Sequence, residues 1–381
     1  MSGARVAAGL ALLSLAACAT TLVGPDPADD PELIFELVWR DFDRHYVFFP
    51  EKQLAWDSLY EIHRPRDVRS AADAELAGAI GALLDELQDL HADLSTPFAL
   101  YGYEGYDTRL HDFTPAHVFT AYVTGSVMSP STALRYGRVR AAPDVGYIWL
   151  ASFQSRIVAE EFDTALSALG NVTALVIDLR NNGGGTSDAS DNVAGRFADS
   201  ARTFAWTFYR TGPGHEQRSD PSPLRLKPRG ARFARPVALL TNRYVVSAAE
   251  RFVLAMRVIP GVVVIGDTTA GGSGIPATRE LPNGWTYRLP QAAAYTEARE
   301  SYEGVGLAPD IAVRRMPADS TAGRDPTLER ALVELRRDVR GSGILAPPAT
   351  RGLAGQAASR KGAPGRCAQW SVLPARRWGR G

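Results

Sequence analysis

Lysine is nearly missing from this chain: Lys52, Lys227 and Lys361 are the only ones in 381 residues, and arginine carries the remaining positive charge. None of the three sits in a G-x-x-x-x-G-K-[ST] loop, which excludes the usual phosphate-binding route to nucleotide chemistry. Cysteine is as scarce, with Cys18 and Cys367 alone. An excess of either charge is also absent, 42 basic against 42 acidic residues, so no overall field argues for nucleic acid. There is no G-x-S-x-G elbow, which speaks against an ordinary α/β-hydrolase. His215-Glu216 has no second histidine at metal-ligand spacing, and neither a metal nor a cofactor is expected. Gly272-Ser273-Gly274-Ile275-Pro276-Ala277 satisfies a loose dinucleotide pattern, but Pro276 and its hairpin context make that match accidental. What remains has the apolar, Gly and Pro content of a soluble globular protein long enough for two or three domains.

The apolar run Val6–Ala17 is too short to span a bilayer. It ends in Leu15-Ala16-Ala17-Cys18, which resembles a bacterial lipobox. Residues 1–18 are therefore expected to be a lipoprotein signal peptide, with lipid on Cys18; Ala19, not Asp, implies the outer membrane, facing the periplasm. A plain signal peptide cleaved near Ala17 is the other reading, and either one exports the chain. With Cys18 lipidated, Cys367 has no partner for an intrachain disulfide. Residues 19–30 read as a tether.

Apolar stripes then predict an N-terminal helical domain over 31–97, ending in a helix from Ala71 to Leu90. Alternation such as His117 to Val123 predicts β-hairpins in a connecting region over 98–145. From 146 to 316 strand and helix alternate. Strands are expected at Tyr147–Ala151, Ala174–Leu179, Val237–Leu240 and Val262–Ile265, with helices between them. That order predicts an α/β core with a mostly parallel sheet and functional groups at its C-terminal strand ends. Residues 210–235 read as a solvated excursion, and hairpins follow Gly271, one turning at Pro282-Asn283-Gly284. The segment 341–381 has no acidic residue and reads as a disordered basic tail.

Two strand ends carry chemistry. After Val237–Leu240, Ser247 opens a helix with apolar residues at Ala249, Phe252, Val253 and Met256. A serine there lies beside unpaired amides and a positive dipole end, where a developing oxyanion would be stabilised. Ser247-Ala248-Ala249-Glu250 is equally an S-x-x-E capping box, which merely starts helices. The strand Ala174–Leu179 runs into Arg180-Asn181-Asn182-Gly183-Gly184-Gly185, whose glycines can turn backbone amides toward an anion.

Taken in order, IDLRNNGGG, LLTNRYVVSAAERF, VIGDTTAGG and YEGVGLAPDIAV resemble the serine peptidases of the C-terminal processing protease and tricorn protease family, over about residues 31–315. The resemblance implies a crotonase-like core and peptide cleavage through an acyl-enzyme on Ser247. In the processing-protease branch a lysine in a G-K-G segment is the base; here Gly272 takes that place. In the tricorn-like branch the base is a histidine from the preceding helical region, assisted by a neighbouring serine and by a glutamate before G-V-x-P-D. His91 and Glu303 match the histidine and glutamate, while Leu90 replaces the assisting serine. The oxyanion hole is then expected from Ala248 and one of Gly183 and Gly184. The roughly fifty residues between His91 and Tyr147 are too few for a PDZ domain. The implied partner is a peptide or unfolded protein. The alternative is a non-catalytic relative of the same fold carrying an apolar ligand or peptide.

Overall fold

The computed structural model describes residues 30–341 apart from 104 and 106–112. Cys18, the expected signal peptide and tether up to 29, and the tail beyond Gly341 lie outside the described residues.

The chain enters through α1 (Pro31–His45), whose start is written in its sequence. The Asp30 carboxylate accepts the Leu33 N–H, Pro31 occupies the first turn, and Ile34, Phe35, Val38 and Phe42 form the buried stripe. Helices α2 (Phe49–Lys52), α3 (Trp56–His63) and α4 (Asp73–Asp85) complete the helical layer. The last of these ends at Asp85, short of the expected Leu90, which leaves residues 86–92 as a turn.

Two short strands follow, β1 (Asp93–Ser95) and β2 (Leu100–Gly102). The segment His117–Val123 is then mostly α5 (Pro115–Ala121), not the expected hairpin. Pro115 fixes a helical φ in the first turn, and Val118 and Phe119 alone need burial, which one helical face supplies. The antiparallel trio β3 (Val123–Met128), β4 (Leu134–Val139) and β5 (Ala142–Leu150) leads into the core. There α6 (Val158–Leu169), β6 (Ala174–Asp178) and α7 (Ser187–Ala194) alternate as the sequence predicts. The excursion at 210–235 is not all loop, because β8 (Ser222–Leu226) pairs with β7 (Arg202–Tyr209). The core resumes with β9 (Val237–Thr241), α8 (Ala248–Arg257) and β10 (Val262–Gly266). A hairpin of β11 (Gly274–Glu280) and β12 (Thr286–Thr296), then β13 (Ile311–Ala312), α9 (Pro317–Thr321) and α10 (Pro326–Gly341), complete it.

The main sheet runs β13-β10-β9-β6-β5-β4-β3, parallel from β13 to β5. Its central strands are apolar on both faces because both are covered. Leu175, Ile177, Val237, Leu239 and Val264 face one core, which α6, α7 and α8 close. Ala174, Val176, Ala238, Leu240, Val263 and Ile265 face the other, closed by α5 and α10. The second sheet, β2-β1-β12-β7-β8 with β11 on β12, packs against the N-terminal helices in a third core. That core takes Phe35, Phe42 and Leu84 from the helices, Trp285 from the hairpin turn and Tyr287 and Leu289 from β12, so the N-terminal segment shares its interior with the late hairpin.

Candidate active site

Three loops leave the C-terminal ends of β6, β9 and β10 side by side, and Ser247 stands in the middle one. Its backbone is at φ 61°, ψ −125°. An N-capping serine sits in the β region, whereas Ser247 has positive φ while keeping the reciprocal capping-box contacts with Glu250. Such a conformation costs about 1–3 kcal/mol in a residue with a Cβ and persists only where its surroundings enforce it. Here the enforcer is Glu250. Its fully buried carboxylate accepts the Ser247 N–H at 3.0 Å, the Thr269 hydroxyl at 2.5 Å, the Gly271 N–H at 2.7 Å and the Gly272 N–H at 2.9 Å. Burial pushes this carboxyl up and the four donors pull it back. The S-x-x-E pattern is thus a clamp that ties the serine turn to the loop after β10.

The glycine loop presses on the same turn. A Cβ on Gly184 would lie 2.9 Å from Ser247 Cβ and 3.0 Å from the Ala248 nitrogen, so only glycine allows the two loops to meet. The Gly184 N–H is spent on Asn182 Oδ1 at 2.8 Å, which corrects the expectation that it could serve as an oxyanion donor. The Gly183 N–H has no hydrogen-bond partner among the described residues, and Ala248, first in α8, carries an amide that no intrahelical carbonyl reaches. Asn182 is the hub: its Nδ2 donates to Leu150 O at 2.8 Å and its carbonyl accepts Val246 N–H at 3.2 Å. Upstream, Arg180 is buried between Asp178 and Asp325, at 2.6 and 2.8 Å, and pins the loop's entry to α10.

His91 arrives from the second sheet. Pairing of β1 with β12 puts Asp93 opposite Arg288, and the His91 N–H donates to Asp89 Oδ1 at 2.8 Å, itself held by the Tyr46 hydroxyl through Oδ2. The imidazole is 4 % exposed, and its Nδ1 is enclosed without a partner. Burial pushes its pKa below the ordinary 6.5; Asp89 pulls it back up, Arg288 pushes it further down and Asp93 raises it. Glu303 lies on the loop between β12 and β13. Its Oε2 accepts both the N–H and the hydroxyl of Ser273, each at 2.8 Å, and its Oε1 lies 3.5 Å from Lys52 Nζ. Burial, then the charge of Asp89, pushes the Glu303 carboxyl up to about 8, while Lys52 and Ser273 pull it down.

Ser247, Ala248, Gly183, Gly272, Ser273 and His91 line one cavity of about 460 Å³. The serine and histidine, distant in sequence, therefore share a wall, while Glu303 does not line the cavity and reaches it through Ser273. Among the described residues no group of three or more His, Cys, Asp or Glu side chains could hold a metal ion, and no helix is long and apolar enough to cross a membrane.

Residues 144–313 match the sequence profile of peptidase family S41. A crystal structure of a protein from Parabacteroides merdae ATCC 43184, assigned as a peptidase, is 32% identical, superposes with a TM-score of 0.73 and is covered over 98% of its length by 81% of this chain. This chain belongs to peptidase family S41. The tricorn protease shares the fold at 15% identity and a TM-score of 0.53, over 82% of this chain and 37% of that one. A carboxyl-terminal-processing peptidase of Arabidopsis thaliana chloroplasts is 28% identical over 168 residues, 44% of this chain. The chain spans about a third of the length of such curated relatives, 31% of that protein and 34% of a Bacillus subtilis one.

Within the S41 frame position 272 explains itself. A Cβ there would lie 3.0 Å from His91 Cε1 and 3.4 Å from Nδ1, so the imidazole fills the volume that a side chain at 272 would need. Sequence reasoning missed Asn182, Ser273 and the clamping role of Glu250. Only Glu250 left a local sign, an acidic residue three places after the serine, and that sign has a commoner meaning.

Proposed function

We propose that this chain is a serine peptidase that cleaves peptides or unfolded protein segments through an acyl-enzyme on Ser247. The observation that carries the reading is the strained serine turn at a helix N-terminus, opening on a cavity that it shares with His91. His91, kept neutral by burial, removes the hydroxyl proton as Ser247 Oγ attacks the carbonyl carbon. The tetrahedral oxyanion takes hydrogen bonds from the Ala248 and Gly183 amides, each worth about 3 kcal/mol when preorganised. His91 then protonates the leaving amine, and a water activated by the same imidazole resolves the ester. Glu303, through the N–H and hydroxyl of Ser273, positions the loop that lies beside His91.

The test is labelling of the protein with a fluorophosphonate. Wild type reacts at Ser247 and hydrolyses peptides, Ser247→Ala does neither, and His91→Ala folds but loses hydrolysis. Equal labelling of wild type and Ser247→Ala would end the proposal. Carriage of an apolar ligand is the lesser reading, since His91, Arg251 and Arg288 stand among the apolar Leu90, Val246, Ile275 and Pro276 on the cavity wall. The Leu15-Ala16-Ala17-Cys18 sequence supports export and lipid attachment at Cys18, on the outer membrane facing the periplasm. Labelling of cells with a fatty-acid analogue should mark the wild-type chain and leave Cys18→Ser unmarked.

A further inference from the structure

Arg251 and Arg288 stand on the wall of the Ser247 cavity, and no aspartate or glutamate among the described residues lines it. Arg251 lies one helical turn after Ser247, on the same face of α8. Arg288 comes from β12 on the histidine side, its Nη2 donating to Leu90 O at 3.3 Å. Each guanidinium is gripped along one edge. Asp191 takes Nε and Nη2 of Arg251, both at 2.7 Å, and Asp93 takes Nε and Nη2 of Arg288. Neither carboxylate lines the cavity, and Nη1 of each arginine has no hydrogen-bond partner among the described residues.

An arginine fixed by an aspartate, with Nη1 uncommitted, is a preorganised cationic donor for a carboxylate, because a charge-assisted hydrogen bond is open and little side-chain entropy is left to lose. A structural ion pair alone would need no place on a cavity wall. We infer that this cavity selects peptides bearing a carboxylate close to the bond that faces Ser247, either an Asp or Glu side chain or a free C-terminus. The inference rests on the peptidase reading for its consequence in turnover but not for binding.

The experiment uses the full chain carrying Ser247→Ala, which binds without cutting, and fluorescence anisotropy with four sets of labelled, otherwise uncharged peptides. These carry a glutamate walked along the sequence with an amidated C-terminus, a glutamine in its place with the amide, the glutamine peptide with a free C-terminus, and the glutamate peptide with a free C-terminus. One carboxylate form should bind about tenfold more tightly than the glutamine amide, the gain of one charge-assisted contact. Preference for the glutamate amide assigns the side-chain carboxylate, and preference for the free terminus assigns the chain end. Arg251→Gln and Arg288→Gln should each shrink the ratio, and rising ionic strength should shrink it in the unsubstituted arginine background, a readout that needs no variant to fold. Equal affinities for all four sets at low salt overturn the inference, as does a ratio that survives both arginine substitutions. Retained carboxylate preference in a protein that fluorophosphonate does not label would uphold the inference and remove the peptidase reading alone.

Discussion

Replacement of Gly272 by alanine probes the junction of the Ser247 turn and His91, the proposed nucleophile and base, with a single methyl group. The added Cβ would lie 3.0 Å from His91 Cε1, 0.4 Å inside the 3.4 Å at which ordinary contact begins, and 2.6 Å from Val246 Cγ2, 0.8 Å inside it. Val246 is half-buried and directly precedes Ser247, so both walls of the junction are pressed apart. With a 1 Å misplacement costing on the order of a hundredfold, a displacement of about half that costs roughly tenfold in the acylation step. Overpacking costs about 1–3 kcal/mol, partly offset by about 0.4–1 kcal/mol from a stiffer unfolded chain. The assay is the rate of fluorophosphonate labelling at saturation, with urea unfolding alongside to separate rate from stability. Gly78→Ala is the control: nothing lies within 4 Å of its Cβ position in the middle of α4, so it should gain about 1 kcal/mol of helix propensity and leave the rate alone. A Gly272→Ala protein that labels as fast as wild type with an unchanged urea midpoint would refute the claim that position 272 abuts the base.

Three further outcomes follow from the same geometry. Because burial holds His91 below 6.5, the acid limb of kcat/KM should have its midpoint below that pH, and Arg288→Gln, which removes a cation that lowers it, should move the midpoint up. Glu303 titrates near 8 when folded and near 4.5 when unfolded, so the folded state binds more protons between those values and stability falls as pH rises through them; urea midpoints at pH 5 and above 8 should differ in wild type and converge in Glu303→Gln. Glu250→Gln turns one acceptor oxygen into an amide facing two donors, and should cost about 3 kcal/mol or more in unfolding free energy with a drop in labelling rate.

The parallel strands were legible because a strand covered on both faces must be a continuous apolar run. The expected Ala174–Leu179, Val237–Leu240 and Val262–Ile265 match β6, β9 and β10 to within a residue. The second sheet was not legible, since its joining pair, Asp93 opposite Arg288, brings together segments nearly two hundred positions apart with no mark in either. His117–Val123 failed for a different reason: seven residues are too few to tell a strand's period from a helix's, and Pro115 decided it. At the site, Ser247, His91 and the glycine loop were visible as motifs, but φ at Ser247 was not. That angle separates a strained nucleophile turn from a helix cap, and it is set by Glu250 reaching four donors on two loops.

On the peptidase reading, a histidine base at 91 in place of a lysine at 272 is a question of occupied volume before it is one of acid–base chemistry. A side chain at 272 and an imidazole at 91 compete for the same space, since the first atom of the former would already press on Cε1 of the latter. A side chain at 272 would thus crowd the imidazole where it now stands, and on the peptidase reading glycine there leaves room for His91 as the base. The exchange also moves the burden of positioning. A lysine at 272 would hang from the loop that Glu250 clamps to the serine turn, whereas His91 hangs from β1 and must be held by Asp89, Tyr46 and the β1–β12 pairing. The Glu303 carboxylate, with Ser273 and the half-buried Lys52, joins those two halves, linking Gly272's neighbour to the helical layer that delivers His91. A base brought in from another layer works only if that layer is tied to the nucleophile's own loop, and this cluster is the tie.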